Sequence, residues 1–414
     1  MINSKAIHTI PEKHQSSWQL AIIQLSGWTS LPILATSILI LQENSFLGAV
    51  MTIIVGNAIL WFIRLGIIAM SHKKRQSTLD ISRDYLGKVG SYFVAALLLI
   101  CTLVWFITQT TAASSTLTHL ISVNEDPNID KFTQMSVFLG IVSTLLCMEG
   151  IVLLRKLSML SFPILLVAFF IAFFTLPFSM PHAGSTAISL SGLTLILSAN
   201  LGITSDLPTF FRHSQSWRDS IKALTIIQIV SLILALCSLY FAFVINTNFE
   251  INEAAVLSSG NNLLRISLIT FVFFSALCAN VANVYSASVG WEAIAPAALV
   301  GRKEYLILGL GLTTIFVLIS DVFSVKDLLN VADSSLVNLC VTLIIGYIIS
   351  IKKQKLPNAS ERKTYFIAWL LSTSINTMQF IGIVFENFSY LLISVIIILS
   401  VIFSSQVFQK HKLL

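Results

Sequence analysis

Charge is scarce in this sequence: 11% of its 414 residues are Asp, Glu, Lys or Arg, against 56% hydrophobic. A soluble globular chain carries about a quarter charged residues, so polar surface is lacking for a water-soluble body of this size. Cysteine is sparse as well. Cys101, Cys147, Cys237, Cys278 and Cys340 all fall inside apolar runs without CxxC spacing, which argues against a disulfide framework or a zinc site. There is no GxxxxGK[ST] phosphate loop, so any pumping draws on a gradient or on another chain. No basic run carries interleaved aromatics, so nucleic acid is not expected as a partner. Serines, histidines and acids do not cluster; neither an enzyme nor a cofactor is expected. The polar stretch Met1–Ser17 shows no small-residue cleavage site, and a removable signal peptide is not expected.

What the sequence has instead is apolar runs long enough to cross a bilayer core. They fall at 17–41, 46–70, 90–121, 133–151, 157–178, 187–205, 221–246, 263–291, 303–320, 328–350, 364–383 and 387–408. The expectation is an all-α polytopic membrane protein of about twelve transmembrane helices, with lipid around it. Charge placement tests this count. With the N-terminus in the cytoplasm, 21 of the 25 lysines and arginines fall on inner segments and only Lys131, Arg265 and Lys326 on outer ones. Arg64 is embedded in the second run near its inner end, where it can snorkel. One span more or fewer scrambles this alternation, so both termini are expected inside, in the inner membrane. The longest connector, Ser71 to Val89, is basic, with a short surface helix expected around Ser77–Tyr85.

Two runs are interrupted. The first holds Gly27-Trp28-Thr29-Ser30-Leu31-Pro32, and the sixth holds Ser198-Ala199-Asn200-Leu201-Gly202 followed by Ile203-Thr204-Ser205-Asp206-Leu207-Pro208. Glycine frees the backbone, a serine can cap, and proline suits the first turn of a new half-helix. Backbone outside a helix is tolerated at membrane depth only against protein or a water-lined cavity. The two segments echo each other five spans apart, where an inverted repeat puts paired breaks around a binding site. Ordinary kinks give the same letters.

Polar residues at depth are few. Trp105 and Gln109 are four apart and share a helix face. An indole stacks on a flat ring and an amide bonds its edge; a packed tryptophan with a glutamine bonded to a neighbouring helix reads the same way. Asn280 and Asn283 lie one turn apart among small residues, as ligand contacts or as interhelical glue. Asp333 sits early in the tenth run, as a proton carrier, a gate or an interfacial cap. Glu149, Asp206 and Glu292 lie near inner ends and are expected to face headgroups or cap helices.

Together Gly27, Gly56-Asn57, Trp105 with Gln109, Leu207-Pro208-Thr209-Phe210-Phe211-Arg212 and Asn283-Val284-Tyr285-Ser286 resemble the nucleobase:cation symporter-1 family, in particular its cytosine permease branch. The resemblance implies a leucine-transporter-like fold of two inverted five-helix repeats, at 17–178 and 187–350, after a cytoplasmic segment at 1–16 and before two added helices and a tail at 351–414. It implies a symporter of a nucleobase such as cytosine, or a related flat heterocycle, working as a monomer by alternating access. Trp105 then stacks on the ring, Gln109 and Asn283 bond its edge, with Asn280 beside them, and Ser198, Ala199, Asn200 and the backbone at Gly27 line the rest. Sodium-coupled relatives carry two hydroxyl side chains five and six residues before the eighth-helix asparagine. Here those positions are Leu277 and Cys278, with Thr29 and Ser275 near but out of register, so Na+ and H+ both stand as coupling ions, with Asp333 a candidate for the latter. An amino-acid or polyamine transporter on the same fold and a non-transporting sensor are the alternatives.

Overall fold

The computed structural model describes residues 14–28, 31–72, 74–121, 129–147, 151–175, 184–248, 262–294, 325–380, 382–384 and 389–411, with Ile307 and Gly311 besides. The apolar runs leave the backbone no water to bond with, and the solution throughout is the helix, which satisfies its own peptide groups. In chain order these are α1 (Ser17–Trp28), α2 (Leu31–Glu43), α3 (Phe46–His72), α4 (Thr78–Ile121), α5 (Ile129–Cys147), α6 (Ile151–Phe174) and α7 (Leu190–Ser205). Then follow α8 (Leu207–Phe211), α9 (Trp217–Asn248), α10 (Asn262–Ile294), α11 (Val325–Lys353), α12 (Ala359–Phe380) and α13 (Tyr390–His411). Every expected span except the ninth meets a described helix or, for the first, the pair α1 and α2; the ninth, at 303–320, lies outside the described residues apart from the two named. Six of the helices, α3, α4, α6, α9, α10 and α11, are long and apolar enough to cross a membrane by themselves.

The distribution of side chains is that of a body solvated by lipid. Phe62, Ile100, Leu160, Phe174 and Ile396 are exposed, while many serines and threonines are buried. Most of those hydroxyls are spent on their own helix: Thr52 donates to the Gly48 carbonyl at 2.7 Å, and Ser143 to Leu139 at 2.7 Å. They lie buried without needing a partner helix.

Packing sorts the helices into two groups. α1, α2 and α3 gather around α9, with α7 packed on α3 and α2, while α4, α5, α6 and α10 pack on one another; α1 also packs on α6 and α10, and α11 leans on both α4 and α7. The added helices α12 and α13 pair with each other against α11. Arg265 of α10 donates from Nε to the Leu120 carbonyl at 2.7 Å, a cation on the carbonyl end of α4. The N-terminus of α12 begins with reciprocal bonds of 2.9 Å, from the Asn358 N–H to Glu361 and from the Glu361 N–H to Asn358. Partial burial works to raise the Glu361 carboxyl, but the bond and charge of Lys353 and the Asn358 N–H outweigh it and hold it below its ordinary value.

Two expectations need correction, and a third is placed more closely. The short helix expected on the surface near Ser77–Tyr85 exists but is buried, its Leu79, Ile81, Tyr85 and Leu86 packed inward. It is joined to the rest of α4 through Gly87, whose φ of 80° turns the chain as a side-chain-bearing residue rarely does. The interruption expected within 198–208 falls at its far end: α7 runs unbroken to Ser205, and the chain departs from helix at Asp206 (φ −96°, ψ 0°) before α8 opens at Leu207-Pro208. The polar run closes on its own helix, with Ser198 donating to Leu195 at 3.0 Å, Asn200 to Ile196 at 2.9 Å and Thr204 to Asn200 at 2.7 Å. Nothing there calls for unwinding. The first span is described as two helices, α1 to Trp28 and α2 from Leu31, and positions 29–30 of its expected interruption lie outside the described residues. Arg64, finally, does not snorkel: it is 1% exposed.

Candidate functional site

A cavity of about 520 Å³ opens between the two helix groups. Its wall takes residues from both: Gly27 and Trp28 at the end of α1, Asn57 and Arg64 of α3, and Ser198, Ala199 and Asn200 of α7 on one side, Trp105 and Gln109 of α4 and Asn283 of α10 on the other. Asp333 of α11 and Tyr390 of α13 complete it, and Asp206 and Phe210 line it beside α8. A Cβ built at Gly27 meets no atom within 4 Å, so the end of α1 leaves room beside the cavity.

Sequence reasoning put Trp105, Gln109, Asn283, Ser198, Ala199, Asn200, Gly27 and Asp333 in one site, and all eight line this cavity. Trp105 is half-buried and Gln109 buried, on the same face of α4. Neither the Gln109 nor the Asn283 amide has a hydrogen-bonding partner among the described residues, so both retain donors and acceptors for a ligand. Asn280 does not belong with them: it is fully buried and donates to Thr110 Oγ1 of α4 at 3.0 Å, a tie between two helices. Ser275 and Cys278 are also buried away from the cavity wall, the Ser275 hydroxyl closing on the Val272 carbonyl at 3.1 Å. Thr29 lies outside the described residues, as do Glu149 and the side chain of Glu292.

Two charged groups in the site were missed. Arg64 donates from Nε to Thr204 Oγ1 at 3.1 Å, from one terminal nitrogen to Gln228 Oε1 at 2.7 Å and from the other to Asn200 Oδ1 at 2.9 Å. The Trp28 ring lies 4.3 Å from its guanidinium carbon. The signal was present in the charge count, where Arg64 alone was embedded in a span. Asp206, expected to face headgroups or cap a helix, stands at the junction of α7 and α8 and also ties helices together: it accepts from Ser286 at 2.8 Å, Thr209 at 2.6 Å and Thr78 at 3.3 Å, joining α4, α8 and α10. Asp333 differs from both. Its Oδ1 is buried with no hydrogen-bonding partner among the described residues, and it sits where a Cβ on Gly202 would come within 2.1 Å.

Helices of this number and polarity, in two packed groups around a polar chamber, define an integral membrane protein with the leucine-transporter-like fold. Solved structures of that fold match it nearly end to end. Mhp1, a nucleobase-cation-symport-1 family transporter solved closed with bromovinylhydantoin bound, is similar with a TM-score of 0.69 and 14% identity over 98% of this chain and 96% of its own. The inward-facing conformation of Mhp1 gives 0.64 and 14% over 99% and 96%. A Na+-coupled sialic acid symporter, substrate-bound and outward-open, gives 0.68 and 10% over 95% and 90%. No family model matches the sequence, and no curated protein matches it. The resemblance expected from the residues is thus met at the level of the fold.

Proposed function

We propose that this protein is a secondary active transporter, a symporter that carries a nucleobase such as cytosine, or a related flat heterocycle, by alternating access. The observation that carries the reading is the meeting of Trp105, Gln109 and Asn283 on one cavity between two helix groups. The indole stacks on the ring and the two amides bond its edge. Rocking of the α1, α2, α3, α7 and α9 group against the other opens the chamber to alternate sides, each state favoured by the ligands it binds better. Mhp1 is a neighbour solved with a hydantoin, itself a flat ring.

The coupling ion on this reading is the proton. Leu277 and Cys278 offer no hydroxyls for sodium, whereas Asp333 brings an unpaired carboxylate oxygen to the cavity. On this reading the protein works as a monomer in the inner membrane, and the uneven placement of its lysines and arginines supports both termini in the cytoplasm. Its repeats are 17–178 and 187–350. A second reading, an amino-acid transporter, is favoured by Arg64 and Asp333 lining one cavity with opposite charges.

Uptake of labelled cytosine, uracil and purines by cells expressing the chain tests the proposal. Trp105→Ala is expected to weaken binding by about tenfold or more, since base–aromatic stacking is worth about 1–3 kcal/mol, and Gln109→Ala to weaken it by a similar factor. If no ring is taken up or competes, the substrate class is wrong.

A further inference from the structure

Arg64 lies on α3 about 12 Å of helix rise from that helix's inner end, wholly buried, on the wall of the cavity. A charge at such depth needs a counter-charge or a water-filled path. Its partners Thr204, Gln228 and Asn200 are all neutral, and no acid pairs with it among the described residues. Neither buried acid nearby serves. Asp206 is taken up by three hydroxyls. Asp333 meets α7 at Gly202, whereas Arg64 meets it at Asn200 and Thr204. Positions 200 and 204 share one face of α7, and 202 lies about 200° around from 200.

A guanidinium carries five N–H donors. Three are used, which leaves one on each terminal nitrogen for an anionic partner. The fork is also held in place. Gln228, which accepts from it, is fixed by its own amide donating to the backbone carbonyl of Asn57 at 2.8 Å and to the Asn57 side chain, while Trp28 covers the guanidinium.

We infer that Arg64 binds a negative charge on the substrate, so that the transported molecule is an anion: a planar heterocycle bearing a carboxylate or an ionised acidic ring N–H. This rests on the heterocycle reading above and narrows it. A neutral base leaves the guanidinium buried and uncompensated, and an acid of the same shape does not.

The test compares matched pairs that differ in charge and scarcely in shape, on purified wild-type protein at neutral pH: orotate with orotamide, nicotinate with nicotinamide, and hydantoin-5-acetate with its amide. In the best-binding pair the acid is expected to bind about tenfold or more tighter than the amide. In Arg64→Gln that ratio falls to about one, and Arg64→Lys, which keeps the charge and loses the fork, retains part of it. Should Arg64→Gln fail to fold, the wild-type ratio and Arg64→Lys decide. Amides binding as well as acids, or no acid binding in any pair, overturns the assignment. Neutral bases bound in preference to acids sink the anion and leave the heterocycle reading standing. Acyclic amino acids bound through Arg64 with no ring bound sink the heterocycle reading and leave Arg64 as an anion site.

Discussion

Asn280 and Asn283 stand one turn apart on α10 and do different work. Asn280 is fully buried with its amide on Thr110, while Asn283 is half-buried on the cavity wall. Asn280→Ala is therefore expected to cost stability, about 1–3 kcal/mol for the buried hydroxyl left behind and the lost tie, and to leave ligand affinity unchanged. Asn283→Ala should do the reverse. Thermal unfolding and a binding isotherm on the two variants separate these outcomes. Sequence spacing alone does not, because residues three apart share a helix face; the choice is made by where α4 lies. Arg64 teaches the same lesson more sharply. Its embedded position is plain in the sequence, but its acceptors sit 140 and 164 residues further along the chain, and no local pattern points to them.

At the scale of the helix, the apolar runs carry their own boundaries. The second expected span, 46–70, meets α3 at Phe46–His72, and the sixth, 187–205, meets α7 at Leu190–Ser205. Where the helices end was partly legible. In the string 202–208 the chain leaves the helix at Asp206 and Leu207-Pro208 open α8; in the similar string 27–32, α1 is described to Trp28 and α2 from Leu31-Pro32. The glycine need not be the point of departure. At Gly202 it instead gives room to a neighbour: a Cβ there would stand 2.1 Å from Asp333 Oδ1. Gly202→Ala must push Asp333 aside or part α7 from α11, at a cost of about 1–3 kcal/mol of overpacking, read as a lowered Tm. Gly27→Ala meets nothing within 4 Å and should leave Tm unchanged. The contrast measures packing at one glycine against free space at the other.

The whole molecule joins these details through its two helix groups, since a chamber walled by both is remade whenever one moves against the other. Asp333 is on α11, which touches α4 of one group and α7 of the other, and its buried Oδ1 has no hydrogen-bonding partner among the described residues. Ionised, such an oxygen carries the desolvation cost of a buried charge; protonated, it sheds most of that cost. The two protonation states therefore weigh differently on any arrangement that wets or dries the cavity, which is what coupling to a proton gradient requires. Asp333→Asn holds the neutral form permanently. In reconstituted vesicles the variant should still exchange substrate for substrate, because rocking and recognition remain, yet lose accumulation driven by an outside-acid pH gradient. The pH dependence of its exchange should flatten. Accumulation that survives in Asp333→Asn, or that follows a sodium gradient at constant pH in the wild type, removes Asp333 from the coupling step.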